Sequence, residues 1–418
     1  MREKIIIIGG GFAGLQLARK LNRKDKKVIV LDKVNHHMFQ PLFYQVASGR
    51  IEPSNISFPF RKIFQRSRNT QFRMTEVTEI RPEENKVISH DAEFSYDKLV
   101  IATGCHTNFF GNKQMEELTF GMKNTQEAVT IRNNVLLTFE KLIFERRRSD
   151  DANWNIVIVG SGPTGVEMAG AFAEMKRDVL PRDYPHMSFA DLNIILVSGT
   201  DMPLASMSHQ AQVKSEQYLK ELGAIFMGNE KVIGYDGETV QLESGKSIPS
   251  RNVIWAAGVT GNIISGLPQE AVFHNRYVVD RYNRIKGYDN IFAVGDVSYM
   301  ETPKYPQGHP QLANVAINQA KNLGRNLSRK STGDWKEFEY IDRGSMATIG
   351  KHRAVVDLPN LKFQGRLAWY FWMFLHLMLI LSVRNKIAIF FNWMWSYFNK
   401  DSSLRLIIIA NDKNKTEQ

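Results

Sequence analysis

The stretch that decides the fold is Ile5-Ile-Ile-Ile-Gly-Gly-Gly-Phe-Ala-Gly14, followed by Val28-Ile-Val-Leu-Asp32. The four isoleucines are typical of a strand buried on both faces, and the apolar pattern after Gly14 predicts a helix. The G-x-G-x-x-G turn between them has a physical reason at each glycine. Gly9 permits the tight turn, Gly11 lets a pyrophosphate approach the backbone, and Gly14 lets the helix pack on the strand. The stretch therefore predicts a dinucleotide site.

An acid follows the second predicted strand at the distance that such a site requires. Asp32 can accept hydrogen bonds from ribose hydroxyls, while the helix N-terminus offers unpaired N–H groups to the phosphates. The alternative is a glycine-rich turn in another kind of α/β unit. That alternative leaves Asp32 unexplained, and we reject it.

The same pattern recurs later in the chain. Residues 154–159 predict a buried strand, Gly160-Ser-Gly-Pro-Thr-Gly165 is a second turn, and a helical segment and the strand 192–197 follow. A strand at 252–255 then ends in Ala256-Ala-Gly258. Two copies of one nucleotide-binding architecture predict two nucleotides held by one chain.

The second copy lacks the acid of the first. Its second strand ends in Ser198-Gly-Thr200, where the first copy has Asp32. A carboxylate there would bind the adenosine ribose and repel a 2′-phosphate; a serine does the first weakly and does not do the second. Because no arginine follows immediately, we expect NADH to be favoured, with NADPH left possible.

Two further strand ends and one helix carry residues suited to a ligand. Residues 98–101 predict a strand that closes on Ala102-Thr-Gly104, small enough for a bound group to pass close by. The strand 290–294 ends in Gly295-Asp296, whose carboxylate could bind a flavin ribityl chain or serve as an ordinary turn residue. The amides of 311–319 could meet a cofactor ring or only cover the helix.

The segment 35–47 combines aromatic and amide side chains close to the first turn. With Gln40, Tyr44 and Gln45 it could shape a pocket for a ring system. A helix packed under the sheet is an equally good interpretation of the same composition.

The C-terminal region is apolar and aromatic. Its first apolar stretch, 367–383, is shorter than the ~20 residues of a spanning helix, and Arg384 and Lys386 separate it from a second apolar stretch. Four tryptophans and two tyrosines suit a membrane interface. We expect two helices lying on a membrane surface, with a helical hairpin buried in a dimer interface as the alternative.

Composition limits the classes of protein to which the chain could belong. A length of 418 residues suggests about three domains, and 43% hydrophobic residues can form substantial cores. The net charge of +11 favours an anionic partner, but no basic stretch is interleaved with aromatics, so nucleic acid is not expected. The single cysteine, Cys105, excludes an intramolecular disulfide and a dithiol redox centre. No metal is required.

Together these motifs resemble those of flavoproteins with two dinucleotide-binding domains, and within them the type II, non-proton-pumping NADH:quinone oxidoreductases. The resemblance covers nearly the whole chain. The glycine turns alone resemble those of any flavoprotein pyridine nucleotide oxidoreductase. The segments 39–47 and 344–350 and the aromatic C-terminus narrow the resemblance to the type II NADH:quinone oxidoreductases. The resemblance implies FAD in the first site, NADH or NADPH in the second, and a membrane quinone as acceptor.

Carried over residue by residue, the resemblance implies four groups of site residues. FAD contacts are expected from Gly9, Gly11, Phe12, Ala13, Gly14, Asp32, Lys33, Gln40, Ala102, Thr103, Gly104, Gly295, Asp296, Leu312 and Ala313. NADH contacts are expected from Gly160, Gly162, Pro163, Thr164, Gly165, Glu167, Ser198, Ala257 and Gly258. Quinone contacts are expected from Gln40, Tyr44, Asn314, Asn318 and Gln319. Glu167 and Gln319 are the candidate catalytic residues, although for Glu167 a plain hydrogen-bonding role in the pocket is the favoured interpretation.

The expected fold is α/β, with two Rossmann-like domains and a C-terminal amphipathic helical segment that anchors the protein to a membrane. The predicted boundaries are 1–115 and 261–335 for the FAD domain, 116–260 for the NAD(P)H domain and 336–418 for the membrane region. We expect a homodimer. Because the first strand begins near residue 4, there is no room for a signal peptide, and we expect the cytoplasmic face of the inner (cell) membrane.

Two departures from the family pattern bear on specificity. Asn314 and Asn318 replace glutamines in a helix motif in which Gln319 is kept, which shortens their reach toward a quinone headgroup, and Ser198 replaces an acid. Thioredoxin-type, glutathione-type and sulfide:quinone reductases require more cysteines than this chain has. The alternatives that stay open are a soluble reductase of a ferredoxin-like carrier and a redox-inert flavoprotein used for binding.

Overall fold

The computed structural model describes residues 2–22, 25–145, 152–399 and 405–408. It divides into two compact units. The first unit comprises Met1–Met38, Ser57–His106 and Val259–Asp342, and the second comprises Phe39–Ile56, Thr107–Gly258 and Arg343–Gln418. The segment 39–56, which we assigned by sequence to the FAD domain, thus belongs to the second unit.

Helices occur throughout the described residues. They are α1 (Phe12–Lys20), α2 (Phe43–Ala47), α3 (Phe60–Ile63), α4 (Lys113–Leu118), α5 (Thr125–Glu145), α6 (Pro163–Glu174), α7 (Leu180–Asp183), α8 (His209–Leu222), α9 (Ala313–Asn326), α10 (Arg366–Leu379) and α11 (Val383–Asn399).

The strands are mostly short. They are β1 (Glu3–Ile8), β2 (Lys26–Asp32), β3 (His36–Met38), β4 (Ser57–Pro59), β5 (Thr70–Met74), β6 (Val77–Arg81), β7 (Lys86–Ser89), β8 (Glu93–Ser95), β9 (Lys98–Ile101), β10 (Cys105–Thr107), β11 (Asn155–Val159), β12 (Asn193–Val197), β13 (Ala224–Met227), β14 (Val232–Tyr235), β15 (Thr239–Leu242), β16 (Ser247–Pro249), β17 (Asn252–Trp255), β18 (Val259–Gly261), β19 (Val272–Phe273), β20 (Arg276–Val278), β21 (Ile291–Ala293), β22 (Ser298–Tyr299), β23 (Ser345–Thr348), β24 (Ala354–Leu358) and β25 (Leu361–Gly365).

The first unit is built on a parallel sheet of order β21-β9-β1-β2-β5. Ile5 lies opposite Val28 on one side and Lys98 on the other. The side chains of β1 from Ile5 to Ile8 are buried on both faces. Helix α1 packs on β1 beside Ile7, and Ile6 and Ile8 belong to a core cluster that includes Ile80, Val87 and Tyr277. The predicted strands and the parallel order place the turn after β1 at the carboxyl edge of the sheet, where ligands of such sheets bind.

The second unit repeats this arrangement with a parallel sheet of order β13-β12-β11-β17. In register, Asn155 pairs with Asn193, and Ile156 pairs with Asn252. Its helix α6 starts within the second glycine turn, at Pro163, and contacts α8, β11 and β12. The α/β fold with two dinucleotide-binding sheets is therefore confirmed.

The C-terminal part of the second unit adds an antiparallel sheet, β23-β24-β25, followed by α10 and α11. One face of these helices is buried, including Trp372, His376 and Trp393. The opposite face exposes large apolar side chains such as Phe374, Phe391 and Phe398. Among the described helices, none is both long and apolar enough to cross a membrane.

Candidate functional site

The first glycine turn has the geometry that each glycine was expected to provide. Gly9 has φ +97°, and a Cβ there would lie 2.3 Å from the carbonyl oxygen of Ala102. A Cβ on Gly14 would lie 1.8 Å from the carbonyl oxygen of Gly9. Gly11 differs, because its Cβ would project into space with no atom within 4 Å apart from its chain neighbours. The turn is thus closed where the chain packs and open where a phosphate could approach.

Asp32 closes this turn and faces a cavity. Its carboxylate accepts hydrogen bonds from the N–H groups of Gly10, at 2.6 Å, and Val34, at 3.0 Å. Burial raises the pKa of Asp32 above its ordinary value, although these two donors and the nearby Lys33 oppose the shift. A cavity of about 300 Å³ lies beside it, lined among others by Gly9, Lys33, Glu76 and Thr103. The free lone pairs of Asp32 can therefore bind ribose hydroxyls in this cavity.

Residues Ala102–Gly104 are held at the same edge by an asparagine that sequence reasoning missed. The Asn262 side chain donates to the Thr103 carbonyl at 2.8 Å, and the Thr103 hydroxyl donates to the Asn262 carbonyl at 2.7 Å. The Asn262 N–H donates to the Gly104 carbonyl at 3.0 Å. These hydrogen bonds fix the small-residue strand end against the cavity. No local pattern in the sequence connects Thr103 with Asn262, which lies 159 positions away.

In the first unit, the Gln319 side chain on α9 hydrogen-bonds to the turn that carries Asp296. Gly295, at φ +77°, donates its N–H to the Gln319 side-chain oxygen at 2.7 Å. Ser298 donates to the same oxygen at 3.1 Å, so this amide shapes the turn that presents Asp296. The Gln319 side-chain nitrogen is buried and has no hydrogen-bond partner among the described residues. That nitrogen is a donor available to a bound group.

The thiol of Cys105 donates to the Asp296 carboxylate at 3.1 Å, so the single cysteine of the chain lies at this turn. Gly295 also lies where α1 and α9 approach each other. A Cβ there would be 3.2 Å from the Cβ of Ala316 and 3.3 Å from the Cβ of Ala13. Two helix N-termini in one unit therefore flank the turn, and the open N–H groups of such termini favour anionic ligands.

The other amides expected to contact a quinone show no comparable arrangement. Asn318 donates to the backbone carbonyl of Asn314 within α9 at 2.8 Å, and Asn314 is exposed. Leu312, which precedes α9, is also exposed. Gln40 is exposed on the second unit. Their roles stay predictions.

The second glycine turn repeats the first within the second unit. Gly160 has φ +104°, and a Cβ there would lie 2.6 Å from the Ala256 carbonyl oxygen. A Cβ on Gly165 would be 1.9 Å from the Gly160 carbonyl oxygen, while Gly162 faces open space. Pro163 occupies the first turn of α6, where a missing N–H breaks no helical hydrogen bond. The turn therefore also leaves an opening for a phosphate.

At the end of β12, hydroxyl groups stand where the first unit has a carboxylate. The hydroxyls of Ser161 and Ser198 are 2.6 Å apart, and those of Ser198 and Thr200 are 2.8 Å apart. Ser198 is buried, whereas Thr200 is exposed. This cluster is uncharged and can both donate and accept hydrogen bonds.

Glu167 lies on α6 at the end of a buried hydrogen-bonded chain. The Trp393 indole N–H donates to the Gln45 side-chain oxygen at 2.7 Å, and the Gln45 amide donates to the Tyr44 hydroxyl at 2.9 Å. The Tyr44 and Thr348 hydroxyls are 2.8 Å apart, and the Thr348 N–H donates to Glu167 at 3.3 Å. Sequence reasoning singled out Tyr44 and Glu167, but it assigned them to different ligands.

The electrostatics of this chain favour a protonated Glu167 at neutral pH. Burial raises its pKa to about 8, against which the hydrogen bonds from Thr348 act only partly. Burial and the charge of Glu167 also raise the pKa of Tyr44, so the tyrosine stays neutral. A carboxylic acid with a pKa near the working pH can donate and recover a proton.

An ion pair steadies the segment that carries Tyr44 and Gln45. Arg50 donates to Glu174, which lies two turns after Glu167 on α6. Glu174 also accepts the N–H of Lys351 at 2.9 Å, just beyond Thr348. One buried carboxylate therefore ties the segments that carry Tyr44 and Thr348 to α6. In the part of the chain that the structure describes, no three His, Cys, Asp or Glu side chains form a metal site.

The chain is similar to known families and known proteins along nearly its whole length. A family model described as pyridine nucleotide-disulphide oxidoreductase matches residues 3–320, and one described as NDH2 C-terminal domain matches residues 343–400. The type II NADH:quinone oxidoreductase Ndh of Mycobacterium tuberculosis is 32% identical over 95% of this chain and 89% of its own length. NdhA of the same organism is 30% identical over 96% of this chain and 88% of its own.

The solved structure of NDH2 from Plasmodium falciparum in complex with NADH has a TM-score of 0.90, with coverage of 98% of this chain and 100% of that one. At 20% identity this likeness shows the fold alone. Fold and glycine turns define an α/β flavoprotein of the pyridine nucleotide-disulphide oxidoreductase class. Within that class the chain belongs to the type II NADH:quinone oxidoreductases, FAD-dependent enzymes that oxidise NADH and reduce a quinone.

Proposed function

We propose that the first unit holds FAD through its glycine turn, Asp32, and the residues around Asp296. The open space at Gly11, the cavity beside Asp32 and the unpaired nitrogen of Gln319 all fit a large polar cofactor. When bound, FAD supplies the chemistry: it accepts a hydride from NADH and passes two electrons to a quinone. The protein binds, orients and shields this group.

The second glycine turn then binds NADH. Gly162 leaves room for the pyrophosphate at the N-terminus of α6, where backbone N–H groups and the helix dipole favour phosphate oxygens. The hydroxyls at the end of β12 can hydrogen-bond the adenosine ribose. In both units the open glycine and the helix N-terminus would bind the pyrophosphate, and the end of the next strand would bind a ribose.

Glu167 and Tyr44 serve the quinone. The overall reaction is NADH + H⁺ + quinone → NAD⁺ + quinol, so the hydride of NADH accounts for one hydrogen and both electrons. The one remaining proton must reach a buried site from a side chain or a water chain. The observation that carries this assignment is the buried chain Tyr44–Thr348–Glu167, which ends on a carboxyl group whose pKa burial raises to about 8. Glu167 holds the proton, and the two hydroxyls relay it.

The experiment that tests the function is anaerobic stopped-flow spectroscopy of the purified protein. NADH should bleach the flavin rapidly, and a short-chain quinone should reoxidise it rapidly. Reoxidation only by a ferredoxin-like protein would replace the quinone with a protein acceptor. Slow bleaching by NADH would move the protein to the redox-inert binding class.

We further propose that α10 and α11 rest on the cytoplasmic face of the cell membrane. Their exposed face carries large apolar side chains: Leu367, Phe374, Met378, Val383, Ile387, Phe391, Trp395 and Phe398. Residues 361–398 contain four lysines and arginines and no acid. Apolar burial combined with attraction to anionic lipids is the usual basis of interfacial binding.

Liposome flotation tests this membrane contact. The double variant Phe374→Asp and Phe391→Asp should lose flotation with anionic vesicles, since both side chains are exposed. Val213→Asp, on an exposed apolar position of α8, is the matched control and should float like the parent protein. Equal flotation of the double variant would contradict the proposal.

The homodimer stays a prediction. The same apolar face could instead be covered by a second copy of the chain, which light scattering in detergent distinguishes. A dimer that dissociates in the Phe374→Asp and Phe391→Asp variant would assign this face to self-association. A dimer unaffected by the two substitutions would place the contact elsewhere.

A further inference from the structure

The nucleotide turn of the second unit has a charge arrangement that its glycine pattern does not predict. In NADH-specific sites an acid at the end of the second strand repels a 2′-phosphate. Here β12 is followed by Ser198, Gly199 and Thr200, of which none is charged. The Thr200 N–H donates to the Ser198 hydroxyl at 3.2 Å, so the turn is held by its own hydrogen bonds and carries uncharged hydroxyl groups.

A lysine lies over this turn. A Cβ built on Gly199 would be 3.4 Å from Cγ of Lys231, so the aliphatic stem of the lysine covers the glycine. Lys231 follows β13, the strand that pairs with β12. Its ammonium is 3.4 Å from the carboxylate of Glu243, and both side chains are largely exposed. Exposed pairs of this kind are weak, so the ammonium can exchange Glu243 for a stronger anion.

The acids around the turn do not restore the missing repulsion. Glu230, next to Lys231, pairs with Lys246 at 3.2 Å and donates its own N–H to the Ser198 carbonyl at 2.8 Å. Glu243 pairs with Lys231. Asp201 and Lys231 are both exposed, so solvent and salt screen both charges.

We propose that this site accepts NADPH as well as NADH, with the 2′-phosphate bound on the Ser198–Thr200 turn and Lys231 as its counter-charge. This inference rests on the proposed nucleotide role of the second glycine turn and adds the phosphorylated form to its substrates. Ser198 and Lys231 are the residues that determine the coenzyme preference. Ser198 permits the phosphate by its lack of charge, and Lys231 attracts it.

The first test compares kcat/KM for NADPH and NADH with a short-chain quinone. For the parent protein we expect the two values to lie within about tenfold of each other. Lys231→Ala should lower the NADPH-to-NADH ratio by roughly tenfold, and Ser198→Glu should lower it by about 100-fold or more. Lys220→Ala removes an equal charge from an exposed position of α8, and it should leave the ratio unchanged.

The second test is calorimetric binding of 2′,5′-ADP and 5′-ADP to the holoenzyme, which does not depend on turnover. The parent protein should bind 2′,5′-ADP at least as tightly as 5′-ADP, and Lys231→Ala should weaken only the former. No binding of 2′,5′-ADP, or an equal loss for both nucleotides in Lys231→Ala, would overturn the inference. If neither NADH nor NADPH bleaches the flavin, the proposed function fails, and the binding result still decides the inference.

Discussion

The two glycine turns have nearly the same backbone and different side chains at two points. Gly9 and Gly160 have φ values of +97° and +104°, and Gly11 and Gly162 both face open space. The strand after the first turn ends in Asp32, whereas that after the second is followed by Ser198. The first turn is tied by a carboxylate that accepts two N–H groups, and the second by mutual hydroxyl contacts.

The second difference lies two residues after the turn. Glu167 on α6 occupies the position that Gln16 occupies on α1 when the glycines are superposed in sequence. Glu167 is buried and joined to Thr348, while Gln16 is only half-buried. Because the two backbones are nearly the same, the side chains at these two points are what distinguish the site proposed for FAD from the site proposed for NADH.

The largest expected effect comes from valine at the open glycines. Gly11→Val places a side chain where the pyrophosphate would approach, so the protein should purify with its FAD content reduced about tenfold or more. Gly162→Val should keep its FAD and raise KM for NADH by about 100-fold. Absorbance at 450 nm and steady-state kinetics measure both. A fully yellow Gly11→Val protein would contradict the assignment of FAD to the first turn.

Glu167→Gln places on α6 the residue type that α1 has at the equivalent position, Gln16. Without the proton donor, flavin reoxidation by quinone should slow on the order of 100-fold, while bleaching by NADH should change little. In the parent protein the reoxidation rate should fall as pH rises through about 8, where Glu167 loses its proton. The reoxidation rate of the Glu167→Gln variant should not show this fall near pH 8. An unchanged reoxidation rate in stopped-flow measurements would make Glu167 a plain hydrogen-bonding group.

The pH dependence of the unfolding free energy gives an independent measurement of the pKa of Glu167. The pKa of Glu167 is raised from 4.5 to about 8 in the folded protein, so the folded chain binds more protons than the unfolded chain between these values. The free energy of unfolding should therefore fall as pH rises from about 4.5 to 8. In Glu167→Gln this decline should be smaller. Denaturant titrations at pH 5 and pH 8 of both proteins would show the difference, and parallel curves would contradict the pKa assignment.

Asp32→Asn and Ser198→Ala compare the two strand ends directly. An asparagine in place of Asp32 would keep the shape but lose one acceptor for the N–H groups of Gly10 and Val34, which should lower the unfolding free energy by about 1–3 kcal/mol. Ser198→Ala should cost less than about 1 kcal/mol, because Ser161 and Thr200 keep other partners. Urea unfolding measures both. Equal losses would mean that the two turns are held in the same way.

The parts of this site that the sequence could predict are those whose residues lie close together in the chain. Both glycine turns, the strand ends after them and the buried strands follow from patterns within about thirty residues, and the structure confirms these elements. Asn262 and Lys231 could not be found, since their partners Thr103 and Gly199 are joined to them only by the fold. Gln319 was predicted as a quinone-binding and catalytic residue. In the structure its side-chain oxygen accepts the N–H of Gly295 and holds that turn in place, a role that the sequence did not predict.

The contact between Trp393 and Gln45 has a consequence for how the protein is made. These two residues are 348 positions apart in the chain. At a synthesis rate of 5–20 residues per second, Gln45 waits about 20–70 s before its partner leaves the ribosome. Until then the aromatic segment 39–47 lacks the side chain that completes its hydrogen bonds. The second unit can therefore finish folding only after Trp393 has left the ribosome, and a chaperone that shields this segment in nascent chains would raise the yield of active protein.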